Sequence, residues 1–293
     1  MDTGTKIDLF ELADANKKQL ESEYQRIKVK SDRNKSDLVE SFGARIKNDW
    51  TLSINMHDRA LFEVLDSGKY ANVYELKDNQ AEQLKKVGKL DDSSAKSAKE
   101  EAIRKHLRNF YEGRKTFDSS IVKGEKARYA ALNIGGVGTT RYGLYCIIIK
   151  REKADRYKKL AFIKEDSAVN YVDNGCLLLD KLSRDVANKE CVDTLAILKH
   201  ENEIDQVSPD KWHRMVCNDT RNIEAVTLDD FLRSHIKCVW IDKKSYNEIY
   251  LDSLVKLFHS ELTEVELYRL ALVKKVFKEL EKRGIELEII DEN

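Results

Sequence analysis

Apolar positions change rhythm three times along the chain. Over residues 7–30 they recur at helical spacing, with Leu9, Phe10, Leu12, Leu20 and Tyr24 set in an otherwise charged segment. Residues 36–49 repeat the pattern with Leu38, Val39, Phe42 and Ile46 on one face. The run TLSINMHDRALFEVLDSGKYANVYEL reads as a short strand, a turn at HDR, a helix and a turn at Ser67-Gly68. Residues 93–113 predict a polar helix closed by Gly113 as its C′ residue. From about residue 120 to 245 the rhythm becomes short β-branched and aromatic runs: ARYAALNI, YGLYCIII, KLAFI, NIEAVT and KCVWID. Helix returns after Thr263, where TEVE forms a capping box and Gly284 marks the end. Leu267, Leu270, Val273, Phe277 and Leu280 give that helix an apolar face for packing, and IELEII predicts a last strand.

These elements predict an α+β fold, with helices early and late and a mostly antiparallel β region between them. The only proline is Pro209, and no Gly/Ser linker divides the chain. Residues 1–50 read as a helical segment that forms one compact unit with a domain over residues 51–293. Composition narrows the partners. Lys+Arg and Asp+Glu each total 52, so no net field draws nucleic acid or anionic membrane. A local basic group remains at Lys150, Arg151, Lys153, Arg156, Lys158 and Lys159. The five cysteines show no CxxC pair, which argues against a disulfide framework and fits a reducing cytoplasm. The histidines have no metal-ligand spacing, so no metal is expected. No signal peptide and no membrane-length apolar run are evident, so no membrane partner is expected.

The stretch Arg128–Lys150, RYAALNIGGVGTTRYGLYCIIIK, raises the first chemical question. Its GGVG is neither a Rossmann fingerprint, since strand follows it, nor a Walker A loop, since no GK[ST] follows. It reads as a hairpin turn, or as one wall of a phosphate site. Three further positions stand out: Arg128 at a strand start, Ser167 after Asp166 at a strand end, and Glu224 inside a β segment. Each alone has a plain reading, as a strand-edge charge or a helix N-cap. Glu224 lies between Ile223 and Ala225, so if those two face the core it faces a surface or a cleft.

Arg, Ser and Glu in that order on three strands are similar to the ADP-ribosyltransferases of the Arg-Ser-Glu class. Over about residues 50–230 the chain also resembles an uncharacterised bacterial domain family associated with that fold. NMHDR, SGKYANVYE, EEAIRKHLRNFYEG, KARYAALN, TRYG, EDSA and NIEAV carry that likeness. The departures are KARYAA where that family has ERPxYG, Asp166-Ser167-Ala168 for Ser-Thr-Ser, and Asn222 two residues before the glutamate. The resemblance implies a mostly antiparallel split sheet with NAD as substrate. Glu224, Asn222 and Ser167 would be catalytic. Arg128 would take the NAD phosphates, with Tyr129, Asn133, Arg141, Phe162, Asp166, Tyr171, His57 and Arg59 around them. Tyr129, Phe162 and Tyr171 would stack on a ring, or else belong to the core. Asn222 is not a base, so arginine is not the expected acceptor. A macromolecular acceptor, protein or nucleic acid, is implied, as is a role as a toxin or phage-defence effector with an antitoxin or chaperone. Two alternatives stay open: an NAD glycohydrolase, and an inactive binding module of the same fold.

Overall fold

The computed structural model describes residues 6–86 and 92–291. The described residues hold ten strands, β1 (Thr51–Met56), β2 (Arg128–Asn133), β3 (Tyr145–Ile149), β4 (Leu160–Ile163), β5 (Val172–Asp173), β6 (Cys176–Leu177), β7 (Val186–Asn188), β8 (Glu224–Thr227), β9 (Ile236–Asp242) and β10 (Glu286–Ile290), and all but β5, β6 and β7 follow the β-branched runs. β5 and β6 form a small hairpin. The other eight form one continuous sheet in the order β10-β9-β3-β1-β2-β8-β4-β7, where a split sheet was expected. Among neighbouring strands of this sheet, only β9 and β10 pair in parallel.

Strand alternation divides the sheet into two buried faces. On the first, Leu52, Ile54, Leu132, Ile147, Phe162, Ala225 and Val239 join the main core. The helices α2 (Lys17–Lys30) and α3 (Arg33–Asp49) contribute Leu20, Ile27, Val39, Phe42 and Ile46 to it. On the second face, Ala161, Ile163 and Val226 meet Leu9, Phe10 and Ala13 of α1 (Leu9–Ala15) and Phe117. The N-terminal helices therefore share both cores with the sheet. The expected single helix over 7–30 is broken at Asn16, whose buried amide donates to the carbonyls of Arg184 and Val186.

Some sequence signals hold. His57 precedes α4 (Asp58–Ser67), and Gly68 ends it at φ +84°, where a side chain would be strained. Thr263 and Glu266 cap the long helix Glu264–Lys282 reciprocally, and Leu270, Val273, Val276 and Leu280 face inward. Leu267 is instead exposed.

Two expectations fail. GGVG does not turn a hairpin, because β2 and β3 both pair with β1 and lie either side of it. The loop must run back along β1, and two buried asparagines hold it there. Asn133 accepts from the N–H groups of Gly135 and Gly136, and Asn55 accepts from Thr139 N–H while donating to the carbonyls of Val137 and Gly143. Gly113 does not close a helix either. After α5 (Val73–Lys86), the segment divides between two helices, α6 (Asp92–Leu107) and α7 (Tyr111–Ser120), with Arg108 at φ +49° between them. Gly113 lies inside α7 because a Cβ there would sit 1.9 Å from the carbonyl oxygen of Ala168.

The close approach at Gly113 predicts that Gly113→Ala costs roughly 2–4 kcal/mol by forcing backbone apart. Gly175→Ala, which meets nothing within 4 Å but is strained at φ +74°, costs only about 1 kcal/mol. Urea denaturation of the two variants separates these costs.

Candidate functional site

β4 delivers Ser167 and β8 delivers Glu224. Their registers place Ile163 and Ala131 beside Glu224, on the second face. Asp166 caps α8 (Ser167–Asn170) by accepting from Ala168 N–H at 2.9 Å. That cap aims the Ser167 N–H at Glu224 Oε2, 3.0 Å away. α7 crosses above, and its Arg114 closes the arrangement. Arg114 donates to Ser167 Oγ at 2.8 Å and to Glu224 Oε1 at 2.9 Å. Its guanidinium lies 3.7 Å over the Tyr129 ring, a cation–π contact in a dry site. Lys199 ties the neighbouring backbone together, donating to Glu165 and to the Asn222 carbonyl at 2.8 Å.

Electrostatics follow from burial. Glu224 is 5% exposed, and burial pushes its carboxyl up against the pull of Arg114. Burial also disfavours the Arg114 cation, yet Glu224 and the surrounding oxygen acids hold it well above its ordinary value. The two groups are therefore mutually dependent. Next to it, Asp118 of α7 accepts from the hydroxyls of Tyr129 and Tyr74. Burial pushes Asp118 up to about 6, with Arg114 and the two hydroxyls opposing.

Arg128 is not part of this cluster. It pairs in register with Thr227, and Glu224 is three residues earlier on β8, so the two side chains leave opposite faces. Its guanidinium meets Glu75 and Asp230, each at 2.7 Å, and the Lys126 carbonyl at 3.1 Å. Two carboxylates already neutralise it. Phe162 also faces the first core, edge-on to Trp50 at 5.4 Å. Tyr171 is core, its hydroxyl donating to Asp185 at 3.1 Å. Asn133 is spent on the crossover loop. His57 and Arg59 lie exposed at the start of α4, Arg59 paired with Glu63 at 3.1 Å. Neither contacts Glu224.

Tyr129, Asp166 and Arg141 do converge on the cluster. Asp166 stands 3.9 Å from Arg114 and 3.5 Å from Arg141, and accepts from the Tyr142 hydroxyl at 3.2 Å. Arg141 also donates to that hydroxyl at 2.9 Å, so this half-exposed pair forms the rim. Asn222 is buried near Glu224, and its carbonyl is what Lys199 grips. The basic group at 150–159 is dispersed: Arg151 lies over Trp50 and pairs with Asp155, and Lys159 pairs with Asp8.

Sequence reading missed Arg114, Asp118, Tyr74 and Tyr142. Arg114 was hidden because one helix was read where two exist, and its partners lie 53 and 110 residues away. No signal within the helix marks it. Among the described residues, no group of three or more His, Cys, Asp or Glu side chains gathers as a metal site. No described helix is long and apolar enough to cross a membrane. No family model matches the chain, and no curated protein matches it.

Removing one partner of a buried pair strands the other. Arg114→Met is expected to cost about 3–5 kcal/mol at neutral pH, and less as falling pH protonates Glu224. Arg128→Met costs less, because Glu75 and Asp230 are partly exposed and regain water. Asp118 gives a second pH test. Its native value near 6 exceeds the ordinary 3.8, so its stabilising contribution is full at low pH and is lost as pH rises through about 6. Asp118→Asn flattens that part of the melting-temperature profile between pH 4 and 6.

Proposed function

We propose that the chain is an NAD-consuming ADP-ribosyltransferase with Glu224 as its catalytic carboxylate. The observation that carries this reading is one cluster of the three residue types that the resemblance calls for: Glu224 accepts from the Ser167 backbone N–H and from an arginine that also donates to the Ser167 hydroxyl. The arginine is Arg114, from a helix, rather than Arg128. Cleavage of the nicotinamide–ribose bond passes through an oxocarbenium-like state, and a fixed carboxylate beside it stabilises the developing positive charge. Ser167 and Arg114 fix that carboxylate from two sides. The Arg141–Tyr142 rim offers a phosphate fork and a ring face at the entrance. The acceptor is a macromolecule, protein or nucleic acid. The role as a toxin or defence effector, with an antitoxin or chaperone, rests on the family resemblance alone. Transfer to water instead makes the same centre an NAD glycohydrolase.

A second reading has its own observation. Both Glu224 oxygens are already bonded and the carboxylate is nearly sealed, which also fits a binding module of this fold without activity.

The deciding experiment incubates NAD labelled on its adenylate half with the protein and bacterial lysate, then separates protein, RNA and DNA. Label in one fraction, reduced roughly 100-fold or more by Glu224→Gln, upholds the transferase. Free ADP-ribose without labelled macromolecule identifies the glycohydrolase. Intact NAD, with no shift in melting temperature on adding it, overturns both and leaves the binding module.

A further inference from the structure

The Glu224 centre extends past Arg114. Tyr129, which carries the guanidinium on its ring, donates its hydroxyl to Asp118. The other Asp118 oxygen accepts from Tyr74 of α5 at 2.9 Å. A continuous path therefore runs from α5 through Tyr74, Asp118, Tyr129 and Arg114 to Glu224. Asp118 is 1% exposed, yet it lines a cavity of about 110 Å³ that also touches Ile103 of α6 and Tyr111 of α7. The α5–α6 pair is thus not tightly packed where the path enters.

The two helices pack chiefly on each other. Among the described residues, their ties to the body are mostly polar. Asn72 donates to the carbonyls of Glu125 and Ala127, Glu75 meets Arg128, and Glu100 meets Lys115 and Tyr111. Before α5, Gly68 sits at φ +84°, and after α6, Arg108 sits at φ +49°. A left-handed arginine is an unusual backbone state, and such residues absorb hinge rotation.

We infer that Asp118 is a positioning residue of the Glu224 centre, holding Tyr129 beneath Arg114 and linking the centre to the α5–α6 pair through Tyr74. The inference rests on reading Glu224 as the catalytic carboxylate. Asp118 faces Tyr74 from α5, Tyr129 from β2, Glu125 from the turn before β2, and Arg114 from its own helix. Lys99, Glu100 and Lys115 stand around the cavity. Protonation turns one Asp118 oxygen into a hydroxyl and weakens its acceptance from a tyrosine. Tyr129 then loses its anchor, and with it Arg114.

The reporter is the Ser167 amide, which donates to Glu224 and needs no substrate to be read. In Asp118→Asn, hydrogen exchange at Ser167 is expected to rise about tenfold, with the amides of β1 and β3 unchanged. NAD turnover falls about tenfold in kcat with little change in KM. The wild-type pH profile bends near pH 6, and the bend disappears in the variant. Tyr74→Phe removes one hydrogen bond and gives a smaller rise at the same amide, which decides the matter if Asp118→Asn does not fold. Unchanged Ser167 exchange in the folded variants overturns the inference, as does a bend near pH 6 that persists in Asp118→Asn. If NAD stays intact with wild-type protein while Ser167 still responds, the coupling stands and the NAD reading falls.

Discussion

A buried arginine–glutamate pair organises the second face of the sheet. An isolated Glu224 in that position would be costly to ionise, and an isolated Arg114 equally so. Each is tolerable only because the other is there, and because Ser167 and Tyr129 satisfy what remains. This dependence fixes larger features. α7 must cross the sheet where its Arg114 reaches both β8 and the end of β4. It can approach so closely only because residue 113 has no side chain. The cap at Asp166 must turn the chain sharply enough to present the Ser167 N–H.

The sheet carries a second arginine–carboxylate system on its other side, and the contrast is informative. Arg128 is more deeply buried than Arg114, but its partners Glu75 and Asp230 are partly wet. That system pins α5 and the loop after β8 to the edge of the main core, and it tolerates rearrangement better. The Glu224 system is drier, with the Arg114 and Glu224 side chains 12% and 7% exposed.

The connection between β2 and β3 is the other constraint. Two parallel strands either side of β1 require a return path across the sheet face, and an irregular loop there must satisfy its own backbone groups. Asn55 and Asn133 do so. The glycines permit it: at Gly138, φ is +73° and a Cβ would meet Asn55 Oδ1 at 2.2 Å. The same loop then places Arg141 and Tyr142 at the mouth of the Glu224 cluster.

The order of hydrophobic runs was enough to locate α3, β1, α4, the strands β2, β3, β4, β8 and β9, the capping box at Thr263 and the final strand, because each is a local pattern. It also singled out Ser167 and Glu224, whose positions at the end and inside of β runs set their direction. It did not say which arginine meets Glu224. Which face Arg128 leaves depends on its register against Thr227, and register is decided by strand pairing rather than by residue type. Arg114 was invisible for the complementary reason. On a polar helix it resembles any solvated cation until folding brings β4 and β8 beneath it. Residue chemistry thus came from the sequence, and only long-range packing chose which arginine meets the glutamate.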